Sequence, residues 1–231
     1  NNDEVFTIVQ YNVHYLNPSV KDIVDWLEGQ QNQHDIVFLQ EVNMNMKNEL
    51  KRLKEYYPYQ IIEPANCFFG LAFLSKLPIT SFDIKYYEEF QRHYLVVNMK
   101  THKGKDVKFF GLHTLAPFSP EYLEIRNHEL EEMDKIISKT PAQYVILSGD
   151  LNTTPYSTTF RKTLKATGLK RPRCITASWP ADLPIPSALC IQLDHLLVSS
   201  KIDFLSQKTG KNIGSDHLPV ITEIVLRDDD Q

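Results

Sequence analysis

Short apolar segments rich in β-branched and aromatic residues recur along the whole chain, and only a few stretches with helical spacing interrupt them. Residues 35–39 are almost continuously apolar, which is typical of a strand buried on both faces. No linker-like stretch divides the segments, so the 231 residues are predicted to form one domain, 1–231. Many strands with few helices between them favour an α/β fold in which two packed sheets carry helices on the outside.

Start signals and residue spacing predict the individual elements. Asn17 followed by Pro18, and Ser119 followed by Pro120, each predict an N-cap with proline at the first helical position. The predicted strands are 5–11, 35–39, 59–62, 68–75, 79–86, 94–101, 107–113, 144–147, 191–199, 204–208 and 218–226. The predicted helices are 18–27, 44–56, a long helix from 120 with Leu123, Leu130, Met133 and Ile137 on its inner face, and 157–166.

Charge and composition narrow the class of protein. The 25 Lys and Arg against 29 Asp and Glu give a net charge of −4, which excludes binding of long nucleic acid by bulk positive charge but leaves a local basic groove open. No apolar run approaches the roughly 20 residues that span a bilayer, so this stretch is expected to be soluble. The acidic tail 228–231 is expected to fray. Because the chain begins with Asn1 rather than Met, we expect a processed or trimmed form whose upstream segment is not visible.

The three cysteines form no CxxC pair, so neither a zinc site nor a redox motif is predicted. Cys174 and Cys190 flank a Pro-rich loop. They either pair in an oxidising compartment or remain two free buried thiols, and the sequence leaves both alternatives open.

Polar residues collect where the predicted strands end. Taken singly, each has a structural explanation, because a Glu after a buried strand is usually a loop residue and a lone His is more often structural than catalytic. Together they lie at rigid strand ends whose side chains can face one cleft, which makes them a candidate site. The members are Asn12, Glu41, His113, Asp150, Asn152, Asp194, Asp216 and His217.

This set of side chains suits metal-assisted phosphoester hydrolysis. Several carboxylates and an amide, without cysteine, suit a hard divalent cation such as Mg²⁺, with Mn²⁺ as a substitute. Histidines beside carboxylates are general acid or base candidates, because imidazole titrates near neutrality. A cation with hydrogen-bond donors would stabilise the negative charge that builds on phosphate oxygens.

Six short motifs follow one another along the chain: Tyr11-Asn12-Val13, Leu39-Gln40-Glu41-Val42, Gly111-Leu112-His113, Ser148-Gly149-Asp150-Leu151-Asn152, Leu193-Asp194-His195 and Gly214-Ser215-Asp216-His217-Leu218-Pro219. In this order they resemble the endonuclease/exonuclease/phosphatase superfamily, which includes deoxyribonucleases, abasic-site endonucleases, neutral sphingomyelinases and inositol-polyphosphate 5-phosphatases. The resemblance runs from residue 12 to about residue 226, and Gly-Asp-Leu-Asn and Ser-Asp-His-x-Pro are its most specific elements.

The resemblance implies a four-layer α/β sandwich of the DNase I-like type, in which two packed mixed β-sheets are flanked by helices. The site is then expected at one end, between the two sheets. By position, Glu41 is implied as the main Mg²⁺ ligand, with Asn12 beside it and Asp216 contributing directly or through water.

The same resemblance implies the catalytic roles. Asp150 is expected to orient or deprotonate the attacking water, and Asn152 to donate a hydrogen bond to the phosphorane-like transition state. Asp194 is expected to orient His217, which contacts the scissile phosphate. His113 matches a histidine that some members use to assist the leaving oxygen.

Five further residues have weaker assignments. Arg92 falls where several relatives carry a phosphate-contacting arginine, although His93 follows it where those relatives often have Glu, and a solvated surface arginine is the alternative. His195 follows Asp194 in a predicted strand, so it is expected on the opposite face in a structural role. His14 is a candidate for lining the cleft. Trp26 and Trp179 are expected to pack a helix and anchor a loop.

The motifs leave the substrate open, because substrate choice resides in loops. Nucleic acid, a phospholipid headgroup and a small phosphodiester are the alternatives, and the acidic balance argues modestly against a duplex-DNA enzyme. No obligate protein partner is evident, and a monomer is expected. The basic clusters are small and are expected to be solvated surface, although the last could face a phosphorylated headgroup or nucleotide: Lys51, Arg52 and Lys54; Lys103 and Lys105; Lys165, Lys170, Arg171 and Arg173.

Residues 115–120 and the Trp179-Pro180-Ala181 loop resemble an uncharacterised bacterial, membrane-associated subgroup of the superfamily. In that subgroup the domain commonly follows transmembrane helices, which implies an upstream anchor and a place outside the cytoplasm. A catalytically silent binding module of the same fold is the competing hypothesis, and the presence of every motif residue argues against it.

Overall fold

A computed structural model describes residues 3–87, 92–186 and 189–228. The described residues form eleven strands and four α-helices, close to the predicted set. The strands are β1 (Glu4–Asn12), β2 (Ile36–Gln40), β3 (Tyr59–Glu63), β4 (Leu71–Ser75), β5 (Ile79–Tyr86), β6 (His93–Lys100), β7 (Asp106–His113), β8 (Tyr144–Asp150), β9 (Asp194–Val198), β10 (Ile202–Thr209) and β11 (Val220–Leu226). The helices are α1 (Val20–Gly29), α2 (Met44–Leu50), α3 (Pro120–Ser138) and α4 (Thr158–Thr167).

Two mixed sheets pack face to face and form the centre of the fold. The first has the order β10-β11-β1-β2-β4-β3 and the second the order β5-β6-β7-β8-β9. β1 pairs with β2 in parallel, and β7 pairs with β8 in parallel. Helices α1 and α2 cover the outer face of the first sheet, while α3 and α4 cover that of the second. This arrangement confirms the four-layer α/β sandwich.

The faces that the two sheets turn toward each other change character along their length. On β1, Phe6 and Ile8 belong to the core between the sheets, whereas Gln10 and Asn12 follow on the same face, because side chains alternate with period two. The rings of Phe38 and Phe73 both pack on Phe109 at the apolar end. Burying each such side chain contributes about 2–3 kcal/mol. The apolar end therefore stabilises a polar end that can serve chemistry.

Several predicted element boundaries are wrong. The N-cap of α1 is Ser19 rather than Asn17, whose buried side chain donates to the carbonyl oxygens of Val13 and Ile213 instead. The long helix 44–56 is shorter, because a 3₁₀ turn at Lys51–Lys54 follows α2. The strands predicted at 68–75, 191–199 and 218–226 begin later, at β4, β9 and β11.

One predicted core residue of α3 is also wrong. Leu123 is 40% exposed, whereas Leu130, Met133 and Ile137 are buried as expected. Leu123 lies in the first turn of α3, next to Tyr122, which lines the cleft. The apolar spacing therefore predicts the buried face of α3 correctly after its first turn.

Three further expectations concern the acidic tail, the cysteines and membrane-spanning segments. Asp228 is held by a 3.2 Å ion pair with Lys105, so fraying does not extend to it, and residues 229–231 lie outside the described residues. Cys174 and Cys190 are both free thiols, and Cys174 is exposed rather than buried. Among the described residues, no helix combines the length and apolar character that a membrane crossing requires.

A buried carboxylate on α3 predicts a pH-dependent stability. Asp134 is 7% exposed, its Oδ2 accepts a bond from Thr163, and burial raises its pKa to about 6. The folded state therefore binds this proton more tightly than the unfolded chain, so stability is lost as pH rises from about 4 to about 6, by about 3 kcal/mol in total. Asp134→Asn is expected to raise the free energy of unfolding by about 1–3 kcal/mol near neutral pH and to change it little near about pH 4.

Urea unfolding at the two pH values measures this difference. Glu124→Gln, at an exposed position of the same helix, is the matched control and should change neither value. An equal effect of Asp134→Asn at both pH values would contradict the burial argument.

Candidate active site

Strand pairing brings the polar residues together at one end of the two sheets. Parallel register places Asn12 opposite Gln40 on the first sheet and His113 opposite Asp150 on the second. The antiparallel strand β9 begins opposite the end of β8, so Asp194 pairs with Asp150. Asp194 was predicted within a strand and lies at its start. The carboxyl ends of β1, β2, β7 and β8 thus meet the beginning of β9.

Unusual backbone conformations cluster at this end. His14, Glu41 and Asn152 have φ values of 60°, 63° and 45°, in the left-handed region that residues other than glycine rarely adopt. Gly149 has φ 148°, and a Cβ there would lie 1.7 Å from the carbonyl oxygen of Leu112. Glycine at position 149 is therefore a steric requirement for the approach of β8 to β7. Strained residues held by their surroundings commonly mark functional sites.

Asp150 is the centre of the polar cluster. Its Oδ2 lies 3.1 Å from Asn12 Nδ2, 3.6 Å from His113 Nε2 and 3.5 Å from His217 Nε2. Its Oδ1 accepts a 2.9 Å bond from the backbone N–H of Asn152. Burial raises the pKa of Asp150 to about 7, and the positive charge of His217 opposes that rise. A carboxylate with these neighbours can accept a proton near neutral pH.

His217 and Asp194 form a buried ion pair behind Asp150. His217 Nδ1 lies 2.7 Å from Asp194 Oδ2. Burial alone would lower the pKa of His217, but the Asp194 and Asp150 carboxylates outweigh it and raise the value to about 10. Burial would raise the pKa of Asp194, but the charge and hydrogen bond of His217 hold it below its usual range. His217 is therefore an imidazolium whose Nε2–H faces the cleft.

Two residues that the sequence analysis missed support Asp194 from the other side. Gln10 Nε2 donates a 2.6 Å bond to Asp194 Oδ1, and Ser178 Oγ donates a 2.5 Å bond to Oδ2. Gln10 also donates to Gln40 on the neighbouring strand of its own sheet, whereas its bond to Asp194 joins the two sheets through side chains. Polar residues at inward positions of otherwise apolar strands are the signal that could have identified Gln10 and Gln40. Ser178 lies in a loop and gives no such signal.

His113 is neutral and its tautomer is fixed. Its Nδ1 lies 2.8 Å from the Phe68 carbonyl oxygen, which can only accept a hydrogen bond, so Nδ1 carries the proton. Burial, with the charges of Arg92 and His217, lowers the pKa of His113 to about 3. Its Nε2 faces the cleft without a proton, 3.8 Å from Glu41 Oε1. Assisting a leaving oxygen would require this nitrogen to become protonated when substrate binds.

The expectation for Arg92 needs correction. Its guanidinium is buried rather than solvated, with Nε 2.5 Å from Glu129 Oε1 and Nη2 donating to the carbonyl oxygen of His113. Arg92 does not line the cleft, because Glu129 on α3 holds it behind β7. The Arg92 guanidinium also lies over the Phe69 ring. It therefore supports the backbone at His113 from outside the cleft lining.

Helix α3 also fixes Asn152 through Arg126, a residue that the sequence analysis did not identify. Arg126 donates from Nη1 to the carbonyl oxygen of Asn152, while the Asn152 amide donates a 2.8 Å bond to the Thr114 carbonyl oxygen. One amide hydrogen of Asn152 remains for a ligand in the cleft. Glu129 accepts a 2.8 Å bond from the Leu115 N–H, so α3 holds the loops after both β7 and β8. Helical spacing placed Arg126 and Glu129 on α3 but gave no sign of these loop contacts.

Comparison with known proteins agrees with this geometry. The sequence model described as Endonuclease/Exonuclease/phosphatase family matches residues 9–217 of the chain. The chain belongs to this family. Members of the family hydrolyse phosphoester bonds, so the chain is an enzyme of that class. No curated protein matches the sequence.

Solved structures of the endonuclease/exonuclease/phosphatase fold superimpose on the chain at low identity. A family member from Bacteroides vulgatus shares 16% identity at a TM-score of 0.78, covering 97% of this chain and 100% of that one. Sphingomyelinase C from Streptomyces griseocarneus shares 18% at 0.73, covering 95% and 99%. TDP2 of D. rerio, complexed with single strand DNA product, shares 14% at 0.75, covering 96% and 99%. These likenesses establish the fold.

A divalent metal is typical of the family, and the oxygen donors beside Asp150 fit one. Asn12 Nδ2 donates to Glu41 Oε1 at 3.0 Å and to Asp150 Oδ2 at 3.1 Å, so two carboxylates approach one point from opposite sheets. A hard cation would offset their repulsion. Asn12 Oδ1 accepts the His14 N–H and keeps a second lone pair that could ligate a cation. Asp216 faces the same cleft and accepts a 3.2 Å bond from Trp179 Nε1.

A second grouping, Asp150, Asp194 and His217, has ligand atoms within 4.8 Å of one another. It is a poorer metal site, because Asp194 Oδ2 and His217 Nδ1 already bond to each other at 2.7 Å. A cation there would have to break the pair and face an imidazolium. A site at Glu41 and Asn12, in the cleft that Asp216 also lines, avoids this cost.

The remaining assignments are resolved by position. His195 is buried on the opposite face of β9, where Nε2 lies 2.8 Å from the Thr153 carbonyl oxygen and the ring packs on Phe160, as expected of a structural residue. His14 lines the cleft. Trp26 packs against the core under α1. Trp179 lines the cleft as well as anchoring its loop.

The cleft holds about 730 Å³ and is bounded by all eight residues of the predicted set except Asp194, which lies behind His217. Its opposite wall is apolar and comes from the loop after β7, the start of α3 and residues near Trp179. A phosphate over Asp150 would therefore have polar groups on one side and hydrocarbon on the other.

Proposed function

We propose that the chain is a Mg²⁺-dependent phosphodiesterase in which water attacks a phosphate held over Asp150. The observation that carries the proposal is the convergence on Asp150 Oδ2 of Asn12, His113 and His217, with distances of 3.1, 3.6 and 3.5 Å. Carboxylates, a donor amide and an imidazolium at one point match the needs of phosphoryl transfer, which is positioning and charge stabilisation. Family membership supports the same reaction class.

The acidic residues of the cleft have two separate roles in the proposed reaction. Asp150 orients the attacking water and accepts its proton. Glu41, with Asn12 and Asp216, would hold Mg²⁺, which when bound supplies positive charge to the phosphate oxygens. Both assignments are consistent with carboxylates that face the cleft and carry few protein hydrogen bonds on that side.

Two donors complement the charge that develops on the phosphate. His217 presents its Nε2–H to the cleft as an imidazolium fixed by Asp194. Asn152 presents its remaining amide hydrogen, held in place by Thr114 and Arg126. Donors fixed before the reaction stabilise the transition state without reorganisation, and each contributes about 10²–10³ in rate.

Hydrolysis of bis-p-nitrophenyl phosphate and p-nitrophenyl phosphate with Mg²⁺, Mn²⁺ or EDTA tests the proposal. We expect turnover with either cation, loss of turnover with EDTA, and preference for the diester. Preference for the monoester would replace the phosphodiesterase by a phosphatase. Absence of turnover together with absence of Mg²⁺ or Mn²⁺ binding would favour the silent binding module.

A further inference from the structure

We propose that the apolar wall of the cleft binds the hydrocarbon part of a zwitterionic phospholipid presented at a membrane surface. The wall consists of Phe68, Leu115, Pro117, Phe118, Tyr122 and Ile191. The inference rests on the proposed phosphodiesterase function and adds a substrate class to it.

The wall is continuous with the catalytic residues. The loop that carries Leu115 to Phe118 begins directly after His113, and the Leu115 N–H is fixed by Glu129. Phe68 supplies the carbonyl oxygen that sets the His113 tautomer, while its ring is exposed. A group attached to the phosphate on the His113 side must therefore lie against hydrocarbon. That placement favours a substrate with an apolar substituent on its phosphodiester.

The rim of the wall extends into solvent. Phe118 is 88% exposed, and Tyr122 beside it at the start of α3 is also exposed. So large an aromatic exposure contributes nothing to the core and leaves apolar area in water that a membrane interface would cover. Phe and Tyr at a rim can insert at the boundary between headgroups and acyl chains.

The charges of the cleft distinguish the lipid from a polyanion. Among the described residues that line the cleft, the carboxylates are Glu41, Asp150 and Asp216, the cations are Arg126 and the His217 imidazolium, and there is no lysine. A strand of nucleic acid needs basic groups that follow its backbone, and this lining supplies no such track. With a net charge of −4, the chain also gains nothing from an anionic bilayer. A zwitterionic headgroup requires neither a track of basic groups nor attraction to an anionic surface.

The basic clusters noted in the sequence do not supply the missing track. Arg52 bonds to Asp25, Glu28 and Glu49, and Lys170 bonds to Asp203 at 2.6 Å. None of the three clusters lines the cleft. The positive charges of Arg52 and Lys170 are therefore paired with neighbouring carboxylates.

Vesicles of phosphatidylcholine and sphingomyelin, in the presence of Mg²⁺, test the proposal by sedimentation and by release of phosphorylated headgroup. Phe118→Ser is expected to weaken vesicle binding and to lower the ratio of vesicle turnover to bis-p-nitrophenyl phosphate turnover by about tenfold or more. The matched control is Phe82→Ser, an exposed phenylalanine on β5 outside the cleft, which should leave the ratio unchanged. Urea unfolding confirms that both variants fold.

Each outcome decides the proposal. Turnover of bis-p-nitrophenyl phosphate without binding or hydrolysis of vesicles would overturn the lipid inference and leave the proposed function intact. Vesicle turnover that Phe118→Ser does not change would overturn the role of the wall. Hydrolysis of a single-stranded oligonucleotide that depends on Phe118 would assign the wall to nucleic acid instead. Absence of all turnover would remove the proposed function, and the inference with it.

Discussion

Replacing Glu41 by Gln is expected to lower Mg²⁺-supported turnover of bis-p-nitrophenyl phosphate by about a thousandfold or more. Gln keeps the shape of the side chain but removes the negative charge that a hard cation requires. The Glu41 carboxylate accepts bonds from the Tyr15 N–H and the Asn12 amide, at 3.0 Å each. A Gln amide can accept only one of these through its oxygen, so the cost falls on the cation and on Asn12 rather than on the fold.

Calorimetric titration with Mn²⁺ separates a ligand from a merely structural residue. We expect Glu41→Gln and Glu41→Ala to weaken cation binding, with a urea midpoint near that of the wild type. Glu55→Gln, at an exposed position after α2, is the matched control and should bind the cation normally. Unchanged cation affinity in both Glu41 variants would remove Glu41 from the metal site and favour the grouping around Asp194.

The architecture was largely predictable because it depends on the spacing of apolar residues along each strand and helix. Alternation along β1 and β7 and the apolar runs of β2 and β8 specify which faces are buried, and burial of both faces forces helices onto the outside of each sheet. The boundaries failed where side chains competed with the backbone. Asn17 is a residue type that favours the N-cap position. Its side-chain amide instead donates hydrogen bonds to the carbonyl oxygens of Val13 and Ile213.

The site was predictable where strand ends supply it and unpredictable where packing supplies it. His113 and Asp150 end neighbouring strands of one sheet, so register brings them together, and face-to-face packing of the sheets adds Asn12 from the end of β1. The actual partner of Arg92, Glu129, lies 37 residues further along the chain on a helix of another layer. Nothing local distinguishes an arginine that meets a phosphate from one that meets a buried carboxylate. Only the tertiary arrangement of α3 against β7 decides it.

Replacing Asp194 by Asn is expected to lower turnover by about 10³–10⁴ while preserving the shape of the site. The carboxylate is the main reason that the His217 pKa is raised to about 10 in spite of burial. Without it, burial still lowers that pKa and only the Asp150 and Asp216 carboxylates oppose burial, so the pKa should fall and weaken the cationic hydrogen bond of His217 to the phosphate. The ratio of variant to wild-type turnover should then rise as pH falls, because the wild type keeps His217 charged throughout the neutral range.

The pH–rate profile and an NMR titration of His217 measure this effect directly, and Asp83→Asn, an exposed carboxylate on β5, is the control that should change neither. A structural role for Asp194 would instead lower activity equally at every pH, together with the urea midpoint. Gln10 and Ser178 sharpen the distinction, because both donate to Asp194 without touching the cleft. Their removal should destabilise the negative charge of Asp194, and Gln10→Leu should therefore produce a weaker version of the same pH dependence.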